Sequence, residues 1–213
     1  MCGLTVILSL LYGLDLRRRD AVQAELAHLS HTDAPTGLAN RRRFEQAFEQ
    51  AWRNSRRSGE PLSLLVVDAD HFKRFNNRYG HAIGDDVLRG LARCLLASAH
   101  LPGDLACRIG GEEFAVLLPK TDAAGALRIA CKVHDLVSVL TVPSVSIGAG
   151  GVTVSIGLAT SQGSSSEQAE VLYRAADAAL YDAKVGDRNQ TRCASDPWDH
   201  RETGTRPLRL VRT

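Results

Sequence analysis

Acidic side chains stand in two tight clusters in this 213-residue chain, and they are its clearest chemical signal. The first is Asp68-Ala69-Asp70-His71-Phe72-Lys73, directly after the apolar run Leu62 to Val67. The second is Glu112-Glu113, at the tip of a predicted hairpin. Carboxylates held at strand ends are common protein ligands of Mg²⁺, a hard cation that keeps several waters and bridges to phosphates. If the two strands are neighbours, Asp68 and a hairpin glutamate converge on one metal. Solvated loop acids would look the same in sequence, so strand pairing decides between the two readings.

Other polar groups fit around such a centre, each with a plainer alternative. Gly110-Gly111 allows backbone to approach a ligand closely, or simply makes a turn. Gly84-Asp85-Asp86 precedes a helical pattern, as a helix N-cap would. Lys184 and Arg188 flank Gly186-Asp187 after the last helix, where they complement a helix C-terminus or bind phosphate. Asn76 carries both a donor and an acceptor, which suits the edge of a base. Spacing by itself reaches a metal–phosphate site and stops there.

Helices and strands alternate between these groups. Phe44, Ala47, Phe48, Ala51 and Trp52 fall at helical spacing, and Ser58-Gly59-Glu60-Pro61 ends that helix. Leu62 to Val67 is short, continuous and branched, as a buried strand should be. Val87, Leu88, Leu91 and Leu95 mark a second helix, and Leu105–Ile109 with Phe114–Leu118 a hairpin. Leu127, Ala130, Cys131 and His134 mark a third helix, and Val152 to Ile156 a strand. Leu172, Ala176, Ala179, Leu180 and Ala183 mark a last helix, stopped near Gly186. The pattern predicts an α/β (α+β) domain: a ferredoxin-like central sheet flanked by helices, with one face or edge open to a ligand.

Composition narrows the function classes. A 44% hydrophobic fraction argues against global disorder, and no apolar run approaches the ~20 residues that span a bilayer. The formal charge of +2 resides in residues 192–213, which carry five arginines against three acids. The rest of the chain is balanced, so no basic face for nucleic acid is expected. Cysteines 2, 94, 107, 131 and 193 are odd in number and scattered, with no metal-binding spacing. They read as small buried residues of a reducing compartment, which places the protein in the cytoplasm.

Three zones are expected. Residues 1–32 hold an apolar segment, then Arg17-Arg18-Arg19, then a helix with Val22, Leu26 and Leu29 on one stripe. The apolar segment reads equally as the cytoplasmic end of a longer transmembrane helix or as one arm of a helical dimer contact. Attachment to the inner face of a membrane, or to a sensor domain, would run through it. Residues 33–191 form the domain, and 192–213 a tail without regular structure.

Arg108-Ile109-Gly110-Gly111-Glu112-Glu113-Phe114 resembles the signature of GGDEF domains, the diguanylate cyclases, in its GGEEF form. The resemblance extends in order along residues 30–190. Asp33-Ala34-Pro35-Thr36-Gly37-Leu38-Ala39-Asn40-Arg41-Arg42 is similar to the opening DPLTGLxNRR. Asp68 to Lys73, Asn76, Tyr79-Gly80-His81 and Gly84-Asp85 resemble DxDhFKxxND…GHxxGD. Val154-Ser155-Ile156-Gly157 resembles the central SIG strand. Ala176 to Lys184, Gly186 and Arg188-Asn189 resemble ADxALYxAKxxGRN.

The resemblance implies a fold like nucleotide-cyclase and polymerase palms, and condensation of two GTP into cyclic di-GMP with release of two pyrophosphates. Two subunits would face each other, one GTP on each. Asp68, Glu112 and the Ala69 carbonyl would bind Mg²⁺, with Mn²⁺ as an alternative. Glu112 would also assist deprotonation of the attacking 3′-OH, supported by Glu113. Asn76 and Asp85 would read guanine. The backbone at His71 and Phe72, with Lys73, Lys184 and Arg188, would hold the phosphates, and His81 joins this substrate-binding set. The rival expectation is a catalytically silent GTP-binding module that regulates a partner.

The chain departs from the family pattern at three places. Leu101 stands where many members have the arginine of an RxxD product-inhibition site ending at Asp104, so no inhibition through that site is expected. Asn77 replaces a usual aspartate, and Asp33-Ala34-Pro35 replaces Asp-Pro-Leu.

Overall fold

The structure, a computed structural model, describes residues 31–141, 151–163 and 168–194. The apolar segment at 1–14, most of the helix expected at 15–32, and the chain from 195 onward lie outside these.

Among the described residues, six strands form one mixed sheet: β1 (Ala39–Asn40), β2 (Leu62–Ala69), β3 (Leu105–Arg108), β4 (Glu113–Pro119), β5 (Val154–Ser161) and β6 (Thr191–Cys193). Their order across the sheet is β1-β3-β4-β2-β5-β6. β2 lies at the centre, antiparallel to both β4 and β5, while β1 and β6 join the outer strands in parallel. The helices are α1 (Arg41–Ser58), α2 (Phe72–Tyr79), α3 (His81–Ser98), α4 (Ala123–Ser138) and α5 (Ala169–Val185).

The mostly apolar run of β2, interrupted only by the buried Ser63, follows from its surroundings. Leu62, Leu64 and Val66 pack with Phe44, Phe48 and Trp52 of α1 and Leu172, Ala176 and Leu180 of α5. Leu65, Val67 and Ala69 point the other way, into Val87, Leu88 and Leu91 of α3 and Ala130 and Val133 of α4. Successive residues of a strand face opposite sides, so a strand buried on both is apolar except where a polar group is satisfied, as Ser63 is by donating to the Thr121 carbonyl at 2.7 Å. Helices therefore cover both faces. Of the face or edge expected to stay open to a ligand, the face is corrected: helices pack on both sides, and the acidic clusters stand at the end of the sheet where β2 stops.

Local signals set the helix limits. The Asn40 side chain accepts a hydrogen bond from the Arg43 N–H at 3.0 Å, capping α1. Gly59, at φ 74°, ends that helix in the left-handed conformation. Asp122 caps α4 through the Gly125 N–H at 2.7 Å. α4 is present as expected, though of the residues that marked it only Ala130 is fully buried. Ala126, Ala130, Val133 and Val137 face the sheet, whereas Leu127 and Cys131 are exposed and His134 is half-buried. Both stripes satisfy a 3.6-residue period, and the alanines let the helix come nearer the sheet than the bulkier set would. Cys94 and Cys107 are buried as expected, but Cys131 and Cys193 are exposed. β6 also carries regular structure to Cys193, two residues into the expected tail. Among the described residues, no helix is long and apolar enough to cross a membrane.

α5 approaches β5 so closely that a Cβ on Gly157 would lie 2.8 Å from the Leu180 Cα and would overlap the Ala176 carbonyl. Backbone cannot rotate away as a side chain can, so Gly157→Ala should destabilise the domain by about 3 kcal/mol. Urea unfolding within about 0.5 kcal/mol of wild type would contradict that contact.

Candidate active site

β2 stops being apolar at Asp68, and the antiparallel register places Asp68 opposite Glu113 at the start of β4. The Ala69 N–H donates to the Glu112 carbonyl at 3.1 Å, which draws the β3–β4 hairpin against the end of β2. The two acidic clusters are thus neighbours. Within the hairpin, the Ile109 and Gly110 N–H groups both donate to the Glu113 carbonyl, at 2.9 and 3.2 Å. A Cβ on Gly110 would lie 2.6 Å from the Glu113 carboxylate, so a side chain there would displace that exposed carboxylate from its place beside the hairpin.

Arg108 grips the loop from below. Its guanidinium donates to the Gly111 carbonyl at 2.7 Å and to the Gly110 carbonyl at 3.2 Å, and pairs with Asp33 at 3.1 Å. Asp33 also accepts from the Thr36 hydroxyl at 2.6 Å. The turn that precedes β1 and the signature hairpin are thereby joined through one side chain, a link that sequence reading missed. Positions 33 and 108 are 75 residues apart, and nothing local marks them as partners.

Charge at the strand end is unbalanced. Asp68 is buried, and the Lys184 ammonium, in the last turn of α5, lies 2.7 Å from its carboxylate. Burial nevertheless outweighs that pairing and holds the Asp68 carboxyl above the ordinary aspartate range. Burial also raises Glu112, and the negative charge of Asp68 raises it further, against the pull of Lys184 and Lys73. A pair of carboxylates that resist ionisation together is short of positive charge. Their hard oxygen donors suit Mg²⁺ or Mn²⁺ in type and charge. Among the described residues no three acidic, histidine or cysteine side chains are already gathered in metal-binding geometry. Lys184 supplies the cationic partner of Asp68.

A second group sits on α2 and the start of α3. The Phe72 ring is buried against Phe75 in the core, so only its backbone is available to a substrate. His71 takes φ 57° as it enters α2. Asn76 packs on Gly84, where any Cβ would collide with its amide oxygen, and that oxygen is buried without a hydrogen-bond partner. His81 and Asp85, one helical turn apart on α3, are exposed. α2 itself went unforeseen: Phe72, Phe75 and Tyr79 do fall at helical spacing, but the segment is only eight residues long and has no side-chain cap.

Arg188 lies in the turn between α5 and β6. Asp187, Arg188 and Asn189 all have positive φ, at 73°, 60° and 44°. The Asn189 N–H donates to the Asp70 carboxylate at 3.0 Å, tying this turn to the end of β2. Lys184 and Arg188 therefore belong to the same end of the sheet as Asp68. Elsewhere, Leu101 is exposed, and the Asp104 carboxylate accepts the Leu101 N–H at 2.9 Å.

Known proteins share the sequence pattern and the fold of this chain. The GGDEF family model, described as "Diguanylate cyclase, GGDEF domain", matches residues 30–190. Diguanylate cyclase DgcM of Escherichia coli K12 is 40% identical over 181 residues, which are 84% of this chain and 42% of that protein. Response regulator PleD of Caulobacter vibrioides NA1000 is 40% identical over 178 residues, 81% of this chain and 38% of that protein. The chain thus spans about two fifths of the length of these curated relatives, 42% and 38%. Among solved structures, the GGDEF domain of DgcB from Caulobacter crescentus, crystallised in complex with c-di-GMP, matches with a TM-score of 0.72. It is 36% identical, and the match covers 78% of this chain and 96% of that one. The mixed sheet and flanking helices of the described residues form the palm-like fold of these domains, and the chain belongs to the GGDEF family of diguanylate cyclase domains.

Proposed function

We propose that this chain is a diguanylate cyclase that condenses two GTP into cyclic di-GMP and two pyrophosphates in the bacterial cytoplasm. The observation that carries this reading is the convergence of Asp68, Glu112 and Lys184 at one end of a palm-like sheet. Asp68, Glu112 and the Ala69 carbonyl hold the divalent cation, Mg²⁺ or Mn²⁺. When bound, the cation neutralises phosphate charge and lowers the pKa of the attacking hydroxyl.

The chain's own groups do the rest. Glu112 accepts the proton of the 3′-OH, and Glu113 fixes the hairpin beside it. Lys73, Lys184, Arg188 and the backbone at His71 and Phe72 bind the phosphates, so that charge developing on the leaving pyrophosphate meets fixed donors. Asn76 and Asp85 bind the guanine edge, with His81 beside them. One copy carries one GTP and cannot close the cyclic product alone, so a second copy facing the first supplies the other nucleotide. A silent GTP-binding module is not favoured, because the metal-side and phosphate-side residues are retained together.

Incubation with GTP and Mg²⁺ tests this reading: mass spectrometry should find cyclic di-GMP and pyrophosphate, and GTP bound without product would reject it. Asp85→Ala should lower the preference for GTP over ATP at least about tenfold, as loss of a base-edge contact does. An unchanged preference would remove Asp85 from the guanine site. With Leu101 in place of arginine, adding cyclic di-GMP to the assay should leave the initial rate unchanged. Slowing that Asp104→Ala relieves would show feedback through the Leu101–Asp104 loop.

A further inference from the structure

We propose that Asp70 is a positioning residue that sets Arg188 for the nucleotide phosphates; this rests on the phosphate-binding reading above. Asp70 follows β2 directly, two positions beyond Asp68, and its alternation resembles that of a second metal ligand. The structure gives it different work. Its carboxylate accepts hydrogen bonds from the Ser155 hydroxyl at 2.7 Å, the Thr153 hydroxyl at 2.7 Å and the Asn189 N–H at 3.0 Å. Its own N–H donates to the Thr153 carbonyl at 2.9 Å. Three donors thus surround the carboxylate and fix it across the start of β5, facing the turn after α5.

That turn needs an external hold. Asp187, Arg188 and Asn189 are three consecutive non-glycine residues in the left-handed region, at φ 73°, 60° and 44°. Asp and Asn tolerate this conformation, but an arginine between them does not adopt it unaided. The Arg188 N–H donates to the Ala183 carbonyl at 3.1 Å, and the Gln190 side chain reaches the Ala183 and Gly186 carbonyls. These contacts tie the turn to its own helix. The Asp70–Asn189 bond ties it to the strand that ends in Asp68. Asp70 therefore fixes where the Arg188 cation stands relative to the buried Asp68 carboxylate.

Binding of 3′-deoxy-GTP with Mg²⁺ to the purified full chain, measured by calorimetry, tests the inference. This nucleotide lacks the attacking hydroxyl, so binding is read whether or not the chain turns over GTP. Failure to make cyclic di-GMP would count against the proposed activity alone. Asp70→Ala and Arg188→Ala should each weaken binding about tenfold, and the double variant no further, because both changes remove one contact. Asp70→Asn keeps an acceptor for the Asn189 N–H and should bind within about threefold of wild type. Independent losses that multiply to about a hundredfold in the double variant would overturn the inference, since Asp70 would then be a general structural residue. So would an Asp70→Ala variant that binds like wild type, or a wild-type chain that does not bind the nucleotide. Hydrogen exchange on the wild-type protein removes any dependence on variant folding. The amide of Asn189, an exposed residue, should exchange slowly, and exchange at the rate of an unprotected amide would also overturn it.

Discussion

Glu112→Ala is expected to reduce cyclic di-GMP formation by more than about a thousandfold while leaving the domain folded. Glu112 has no role in the core: it stands on the hairpin tip, and the strand contact there runs through its backbone carbonyl to the Ala69 N–H. Its side chain faces Asp68 across the end of the sheet, with Lys73 and Lys184 near. Removing it takes away both a cation ligand and the proposed proton acceptor. Product assay together with circular dichroism checks this, and retained turnover would withdraw the role.

The same residue carries a pH signature whose sign is fixed. Burial and the neighbouring Asp68 raise the Glu112 carboxyl above its usual 4.5. Between the ordinary value and the raised one, the folded chain binds more protons than the unfolded chain, so metal-free stability falls as pH rises through that window. Glu112→Gln removes the repulsion. In chelator-treated protein its melting temperature should exceed that of wild type at neutral pH, with no gain at about pH 4, where the wild-type carboxyl is protonated. A melting temperature at or below wild type at pH 7 would contradict the charge imbalance.

Lys184→Ala should weaken both stability and catalysis. Its ammonium is 2.7 Å from Asp68, with side chains 33% and 9% exposed respectively. Losing one partner of a fully buried pair costs about 3–5 kcal/mol; partial solvent access at the lysine reduces the expectation to about 1–2 kcal/mol. Product formation should fall about a hundredfold, because a phosphate-binding cation is lost as well. Asp68→Asn combined with Lys184→Met removes both charges, so it should recover stability and remain inactive. Thermal unfolding and turnover measured side by side separate the effects. A Lys184→Ala variant with wild-type stability and rate would contradict them.

Much of this site is legible in the sequence because its residues sit at changes of pattern. Asp68 ends the apolar run of β2, and Gly110-Gly111 breaks the hairpin just before Glu112. Pairing of two central strands then brings the acids together. The helices over both faces were also implicit in the near-continuous apolar run of β2, which a half-open sheet would not need. Residues joined only by the fold stayed hidden. Asp70 meets Ser155 and Asn189 across 85 and 119 positions, and Arg108 meets Asp33 across 75. The buried face of α4 was not legible for a different reason: Leu127 is the more hydrophobic residue, but it is small Ala126 that the core buries.

The most direct measurement is the rate of cyclic di-GMP formation from GTP and Mg²⁺ over a wide range of protein concentration, with the product identified by mass spectrometry. A reaction between two GTP-loaded copies predicts that, below the dimerisation midpoint, a tenfold dilution slows product formation about a hundredfold. Strict proportionality to protein down to the lowest concentration, or GTP binding without product at the highest, would contradict it.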